Sequence, residues 1–421
     1  MRTLVECGVP DVLPPKVLSV LQLCPFNKPF FPNLKTLELW RVAEEFIPFI
    51  TSFLSPRTTV VSISFETFGY CDVAIASTIA SFPTLCPNLR DVTLHFLPGD
   101  PMITTAVSGI LLSDIRNALR RFRVDSLLTE EAREVVYKLP NLRELSVIIE
   151  SGASSPSVAL PNLTTLLIVC ENDNDCLRVL QGARFGKLKT VNFHSKSGQI
   201  DDFLEAFQRV ALATSIQNTL SKFTFSTPRL WNPNYTSLLP FAQLTALTVK
   251  FPCADSCSSR VDDDIVMSLA RTMQKLKILQ LGDSPCREIP IGVTVKGLVA
   301  LANRCPDLTE LHIHFQVASL SALPAIGGMP TTPRKGCALA ELDVGRILVP
   351  EESVLVVALT LAHIFPHIEY IDHVDENWKK VMDAINLSRE IVGYSGRRPP
   401  LYLPRSECSD TFSEATLEGD S

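Results

Sequence analysis

Phe31-Pro32-Asn33-Leu34-Lys35-Thr36-Leu37-Glu38-Leu39 is a phrase that the chain keeps repeating. It returns as Cys86-Pro87-Asn88-Leu89-Arg90-Asp91-Val92-Thr93-Leu94 and as Leu139-Pro140-Asn141-Leu142-Arg143-Glu144-Leu145-Ser146-Val147. Each copy has a polar or Pro-Asn lead followed by Leu-x-x-Leu-x-Leu. Indexed by their first apolar position, thirteen copies begin at Leu34, Val60, Leu89, Leu119, Leu142, Leu163, Leu188, Leu220, Leu244, Leu276, Leu308, Leu339 and Ile368. The gaps between them run from 21 to 32 residues. A repeat of that length carrying that pattern is the signature of a leucine-rich-repeat solenoid. The expected fold class is α/β: a horseshoe with a parallel sheet on its concave face and helices and connectors on its convex face.

No single phrase can bury its own apolar face. A strand points alternate side chains to opposite sides, so each Leu-x-Leu needs neighbours and a covering layer. Parallel strands also need a crossover of a dozen or more residues. The segments between phrases supply it. Asp262 to Met273 places Ile265, Leu269 and Met273 at helical spacing behind an acidic first turn, which suits the helix dipole. Thr294 to Arg304 repeats the pattern with Leu298 and Leu301, and Gln199 to Ala213 puts Phe203, Leu204, Phe207 and Val210 on one face. The gap from Leu142 to Leu163 is too short for a full helix. Prolines of the leads force the preceding residue out of helical geometry and end the crossovers.

The chain has 421 residues, an apolar fraction of 46% and a charged fraction of 20%, enough for one long core. The expected organisation is an N-terminal cap or partial repeat over 1–30, the solenoid over 31–375, a closing helix over 376–395 and a disordered acidic, Pro- and Ser-rich tail over 396–421. No N-terminal run resembles a signal peptide, and no stretch approaches the uninterrupted apolar length that a membrane span needs. The twelve scattered cysteines read as reduced thiols, so the expected compartment is cytoplasmic or nuclear. A net charge of −6 gives no electrostatic case for nucleic acid, which calls for a basic stripe. The expectation is no nucleic acid and no membrane.

Phe31-Pro32-Asn33-Leu34-Lys35-Thr36-Leu37-Glu38-Leu39-Trp40 resembles phrases of the fungal, basidiomycete-type F-box and leucine-rich-repeat proteins. Gly297 to Leu311, with Cys305-Pro306-Asp307-Leu308, is similar to their cysteine-containing repeats. The resemblance covers roughly residues 28–375. It implies a substrate receptor of a cullin-RING ubiquitin ligase, in which the F-box holds the adaptor subunit and the repeats hold the target. Val9 to Leu21 faintly resembles an F-box opening, but the first phrase already begins at Phe31. An F-box takes about three helices over some forty residues, so none is recognisable here and the resemblance rests on the repeats, which imply ligase components as a partner. The alternative is a protein-interaction scaffold with no ligase link.

No phosphate loop and no zinc-type cysteine pairing appears, so no cofactor or metal is expected, and nothing in the spacing pairs a nucleophile with a base. The reading is a binding protein rather than an enzyme. Solenoids bind through the residues that face outward from the sheet. On the first strand these are Thr36, Glu38 and Trp40; on the second, Ser62, Ser64 and Glu66. Two neighbourhoods stand out. Ile148, Leu167 and Val169 put aliphatics on a wall that is otherwise polar, beside Arg121 and Arg123, the composition of a partner anchor with a charged rim. Glu310, His312 and His314, with Glu341 and Asp343 one strand over, form a charged patch suited to a basic partner.

Overall fold

The repeated phrase forms strands at each of its thirteen positions. The computed structural model describes residues 3–6, 29–65, 72–96, 100–150, 158–181, 183–196, 203–227, 233–250, 261–282, 292–321, 337–345, 347–373 and 375–391. The strands begin with β1 (Thr3–Glu6), β2 (Thr36–Val42), β3 (Val60–Phe65), β4 (Asp91–His95), β5 (Arg121–Val124), β6 (Glu144–Ile149), β7 (Val158–Ala159) and β8 (Thr165–Cys170). They continue with β9 (Ala183–Arg184), β10 (Thr190–Ser195), β11 (Lys222–Ser226), β12 (Ala246–Lys250), β13 (Ile278–Leu281), β14 (Glu310–Ile313), β15 (Glu341–Gly345) and β16 (Tyr370–His373). Fourteen of them build one parallel sheet in chain order, from β1 to β16; β7 and β9 pair separately with each other. The sheet is open, with β1 and β16 at its edges.

Register is fixed by the corner that leads into each strand. The carbonyl of the residue just ahead of a strand accepts two amides of the next repeat. Lys35 O takes Thr59 N at 2.8 Å and Val60 N at 3.0 Å, and Arg90 O takes Arg120 N at 2.7 Å and Arg121 N at 3.2 Å. The asparagine of the Pro-Asn lead adds a side-chain rung. Asn88 Nδ2 donates to Pro56 O at 2.9 Å, Asn141 Nδ2 to Asn117 O at 2.8 Å and Asn162 Nδ2 to Pro140 O at 2.9 Å. The corner carbonyls and lead asparagines thus tie each repeat to the next by backbone and side-chain hydrogen bonds.

The pairing corrects the second phrase. Thr36 aligns with Val60 and Leu37 with Val61, so the slot of Leu34 belongs to Thr58, not to Val60. Thr58 is fully buried there. Its hydroxyl, like that of Ser55, lies 3.2 Å from Leu34 O, and it accepts from Ser55 N at 3.1 Å. A hydrogen-bonded threonine thus replaces an apolar lead. The outward set of this strand is Val60, Ser62 and Ser64; Glu66 lies outside the described residues. Ahead of the first phrase, β1 pairs Thr3 with Thr36 and Leu4 with Leu37.

Leu37, Val92, Leu145, Leu166, Phe223 and their counterparts join the crossover helices in one core. Phe203 and Phe207, on the helix Phe203–Ala213, stack on Phe225 and Phe223 of β11 with ring centroids 4.2 and 4.5 Å apart. The helix Asp263–Thr272 is capped by Asp262, which accepts from Ile265 N at 3.0 Å. It buries Val266, Leu269 and Ala270, leaving Ile265 half-buried. Asp263 serves the next helix, Val295–Arg304, accepting from Thr294 N at 2.8 Å and Gly297 N at 3.1 Å. A Cβ at Gly297 would come within 2.4 Å of Val293 Cγ1, so the close approach requires glycine. The described part of the connector between β6 and β8 carries no helix. At the far end, the helix Glu376–Ile391 buries Trp378, Val381 and Ile385, and Trp378 Nε1 donates to Ile347 O at 2.7 Å.

The expectation of free thiols fails at one pair. Cys170, the last residue of β8, is joined to Cys176 of the helix Asp173–Gln181 in a disulfide. Cys86, Cys305 and Cys337 are free and buried; the other cysteines lie outside the described residues, as does the segment 392–421. Among the described residues no helix is long and apolar enough to cross a membrane.

Candidate functional site

The solvent side of the sheet is built from side chains that alternate with the core residues along each strand. Because the strands are in register, outward residues of neighbouring repeats lie directly opposite one another and pair across the sheet. Arg121 Nη2 bonds Asp91 Oδ2 at 2.8 Å, from β5 back to β4. Arg123 Nη2 bonds Glu144 Oε2 at 2.7 Å, from β5 forward to β6. His95 Nδ1 and Asp125 Oδ2 are 2.7 Å apart, and His312 Nδ1 and Asp343 Oδ2 2.6 Å. His194 Nδ1 and Ser226 Oγ are 2.6 Å apart, so the fold does bring a hydroxyl beside an imidazole. Burial, with the charge of Lys196 second, holds that imidazole below its usual value.

Ile148, Leu167 and Val169 do stand on this outward side: Ser146 pairs with Leu167 and Ile148 with Val169. The expectation that they face solvent fails for two of them. Ile148 is 6% and Val169 4% exposed, and only Leu167 is half-buried. Strand parity fixes the face of a side chain; whether water reaches it depends on what lies above. Neither belongs to the main core. Arg121 and Arg123 are each about half exposed, and both are held in ion pairs rather than free at a rim.

The second neighbourhood sits at the C-terminal end of the sheet. Glu310 and His312 on β14, Asp343 on β15 and Asp372 on β16 share the outward side, with Glu310 opposite Glu341 and Asp343 opposite Asp372. His314 follows β14 and is half-buried. No lysine or arginine occupies an outward position of these three strands, so the patch is acidic. Tyr370, 54% exposed, stands among these acids. Partial burial and then the charges of Asp372 and Glu341 hold its phenol above the usual value. Among the described residues no cluster is suited to a metal ion. The two neighbourhoods are five strand steps apart, on the order of 24 Å.

A third grouping sits at the N-terminal end. Trp40, at the outward tip of β2, is 46% exposed. Across the intervening strand β3 it stacks on His95 of β4, centroids 6.4 Å apart. The next residue, Arg41, has a φ of 53° and the pairing slips between Leu39 and Val42. A bulge with a non-glycine residue in left-handed geometry is a strained feature of the kind that re-aims side chains at functional positions. Trp40, His95 and Asp125 thus join in one aromatic and charged grouping across β2, β4 and the end of β5, with Trp40 its most exposed member. The phrase alignment contains its signal, since Trp40, Ser64, His95 and Asp125 occupy the same outward slot.

A separate apolar surface lies on the helix Val354–Ile364, where Leu355 and Leu359 are 61% and 49% exposed. No known protein family matches the chain, and no curated protein is similar to it.

Proposed function

We propose that the chain is a protein-binding leucine-rich-repeat module, a horseshoe whose concave sheet face receives a protein target. It acts as a substrate-recognition protein related to F-box-type cullin-RING ligases. The observation that carries the binding reading is Trp40: a large exposed aromatic beside a strained backbone residue, stacked on His95, which is paired in turn with Asp125. Interface anchors are enriched in tryptophan and arginine. The buried outward pair Ile148 and Val169 and the acidic patch around Asp343 lie further along the same side of the sheet. On this reading the chain catalyses nothing, and Ser226 with His194 is a cross-strand hydrogen bond.

The ligase link rests on the resemblance of the repeats. It is tested by co-purification with the adaptor subunit of cullin-RING ligases from cells of the source. Recovery of the adaptor in stoichiometric amount supports it. Recovery of other proteins without the adaptor makes the chain a scaffold.

A further inference from the structure

The residues just ahead of the strands form a ladder of their own, because each carbonyl takes two amides from the next repeat. Six positions of that ladder are cations: Lys35, Arg90, Arg120, Arg143, Lys189 and Lys277. All six are exposed, and none belongs to an ion pair among the described residues. In the sequence they are scattered, and a net charge of −6 hides them; the fold lines them up along one edge. The basic stripe that the composition gave no sign of is therefore present.

Arg90, Arg120 and Arg143 precede consecutive strands, β4, β5 and β6, so their backbones are about 4.8 Å apart. Like charges directly opposite on neighbouring strands destabilise a sheet. The nearest outward acids do not relieve them: Asp91 and Glu144 are already taken by Arg121 and Arg123. Most other ladder positions are threonine or serine, and several donate back to the ladder, as Thr164 Oγ1 does to Arg143 O at 3.0 Å. What remains unmatched is a narrow row of positive charge, which an anionic partner complements.

The shape of the row selects among polyanions. It contains no aromatic residue on which single-stranded bases could stack. A duplex is wide enough to meet the acids of the adjoining sheet face as well as the row. An extended peptide is narrow, and its side chains on one face recur about every 6.7 Å, within reach of flexible arginine and lysine.

We propose that this edge of the sheet binds an extended acidic polypeptide segment, centred on Arg90, Arg120 and Arg143. This goes beyond the reading of the Trp40 surface and does not depend on it. The test uses the full chain and a fluorescent peptide alternating glutamate and serine, with a glutamine–serine peptide, an oligothymidylate and a short duplex DNA as comparators, at low ionic strength. The wild-type chain is expected to bind the glutamate peptide and not the glutamine peptide. The triple variant Arg90→Glu, Arg120→Glu, Arg143→Glu is expected to weaken binding by about tenfold or more, and Arg120→Gln alone by a smaller factor. Arg209→Glu, Arg271→Glu, Arg304→Glu changes the net charge equally on exposed helix positions and is expected to leave binding within about twofold. Trp40→Ala is expected to leave it unchanged. Equal losses in the two triple variants, no binding by the wild type, or tighter binding of either nucleic acid would overturn the proposal.

Discussion

Two adjacent stretches of the same sheet face behave differently. On β4 and β5 the outward residues are Asp91, Thr93, His95, Arg121 and Arg123, half-buried or exposed, and all but Thr93 are tied into ion pairs. On β6 and β8, one strand further, Ile148 and Val169 occupy equivalent slots and are buried. Alternation along the strand is the same in both. The difference teaches that register decides which side of the sheet a residue serves, while chemistry and cover decide whether that side is wet. An open polar surface and a closed apolar one share a border at Arg123 and Glu144.

The sharpest way to break this comparison is to place a charge on each side of the border. Val169→Asp buries an unpaired carboxylate and is expected to cost about 3 kcal/mol of unfolding free energy, read by urea titration. A cost below about 0.5 kcal/mol would mean that water reaches this side chain and that the border is not where we place it.

One strand beyond β8, His194 gives a pH-dependent effect. Its folded value lies below the ordinary 6.5, from burial first and Lys196 second. The unfolded chain therefore binds the proton more readily. Stability is whole above pH 6.5 and is lost as the pH falls from there through the lower folded value. Thermal melts between neutral and mildly acidic pH are expected to slope less in His194→Asn than in the wild type. An unchanged slope would remove His194 from the account.

On the open side, Arg123→Ala breaks an ion pair whose arginine is about half exposed and is expected to cost at most about 1 kcal/mol. A much larger loss would mean that the β5 surface is as closed as that of β8. The smallest effect concerns thiols. Burial pushes Cys86 up to about 11 and Cys305 up to about 12. Native protein at neutral pH should leave both unmodified by iodoacetamide, as peptide mapping would record.

Much of the fold is legible because Leu-x-x-Leu-x-Leu repeats its own physics. Twelve of the thirteen indexed phrases meet their neighbours in the expected register, and the helices behind Asp262, Thr294 and Glu376 begin within a residue of their caps. The exceptions have specific causes. Thr58 is a polar residue in an apolar slot, satisfied by Ser55 and Leu34, which a pattern of leucines passes over. The disulfide of Cys170 and Cys176 joins a strand end to a helix that starts three residues later, a closeness that spacing does not reveal. At the site, parity placed Ile148 and Val169 on the outward side but could not report their cover. The stack of Trp40 on His95 and the contact of Ser226 with His194 join strands 55 and 32 residues apart. The cationic edge is the same kind of miss: single residues about thirty apart become neighbours only when the repeats stack.

The central claim, that the solvent side of the sheet carries the partner and Trp40 anchors it, is tested most directly by paired capture experiments. Wild-type chain, Trp40→Ala and the double variant Leu355→Ala, Leu359→Ala are used to recover bound proteins from cells of the source. The account predicts that Trp40→Ala loses the recovered partners, a change of about 2 kcal/mol or more, with its melting temperature almost unchanged. The double variant should keep them. Retention by Trp40→Ala together with loss in the double variant would contradict the account and move the binding surface to the helix Val354–Ile364.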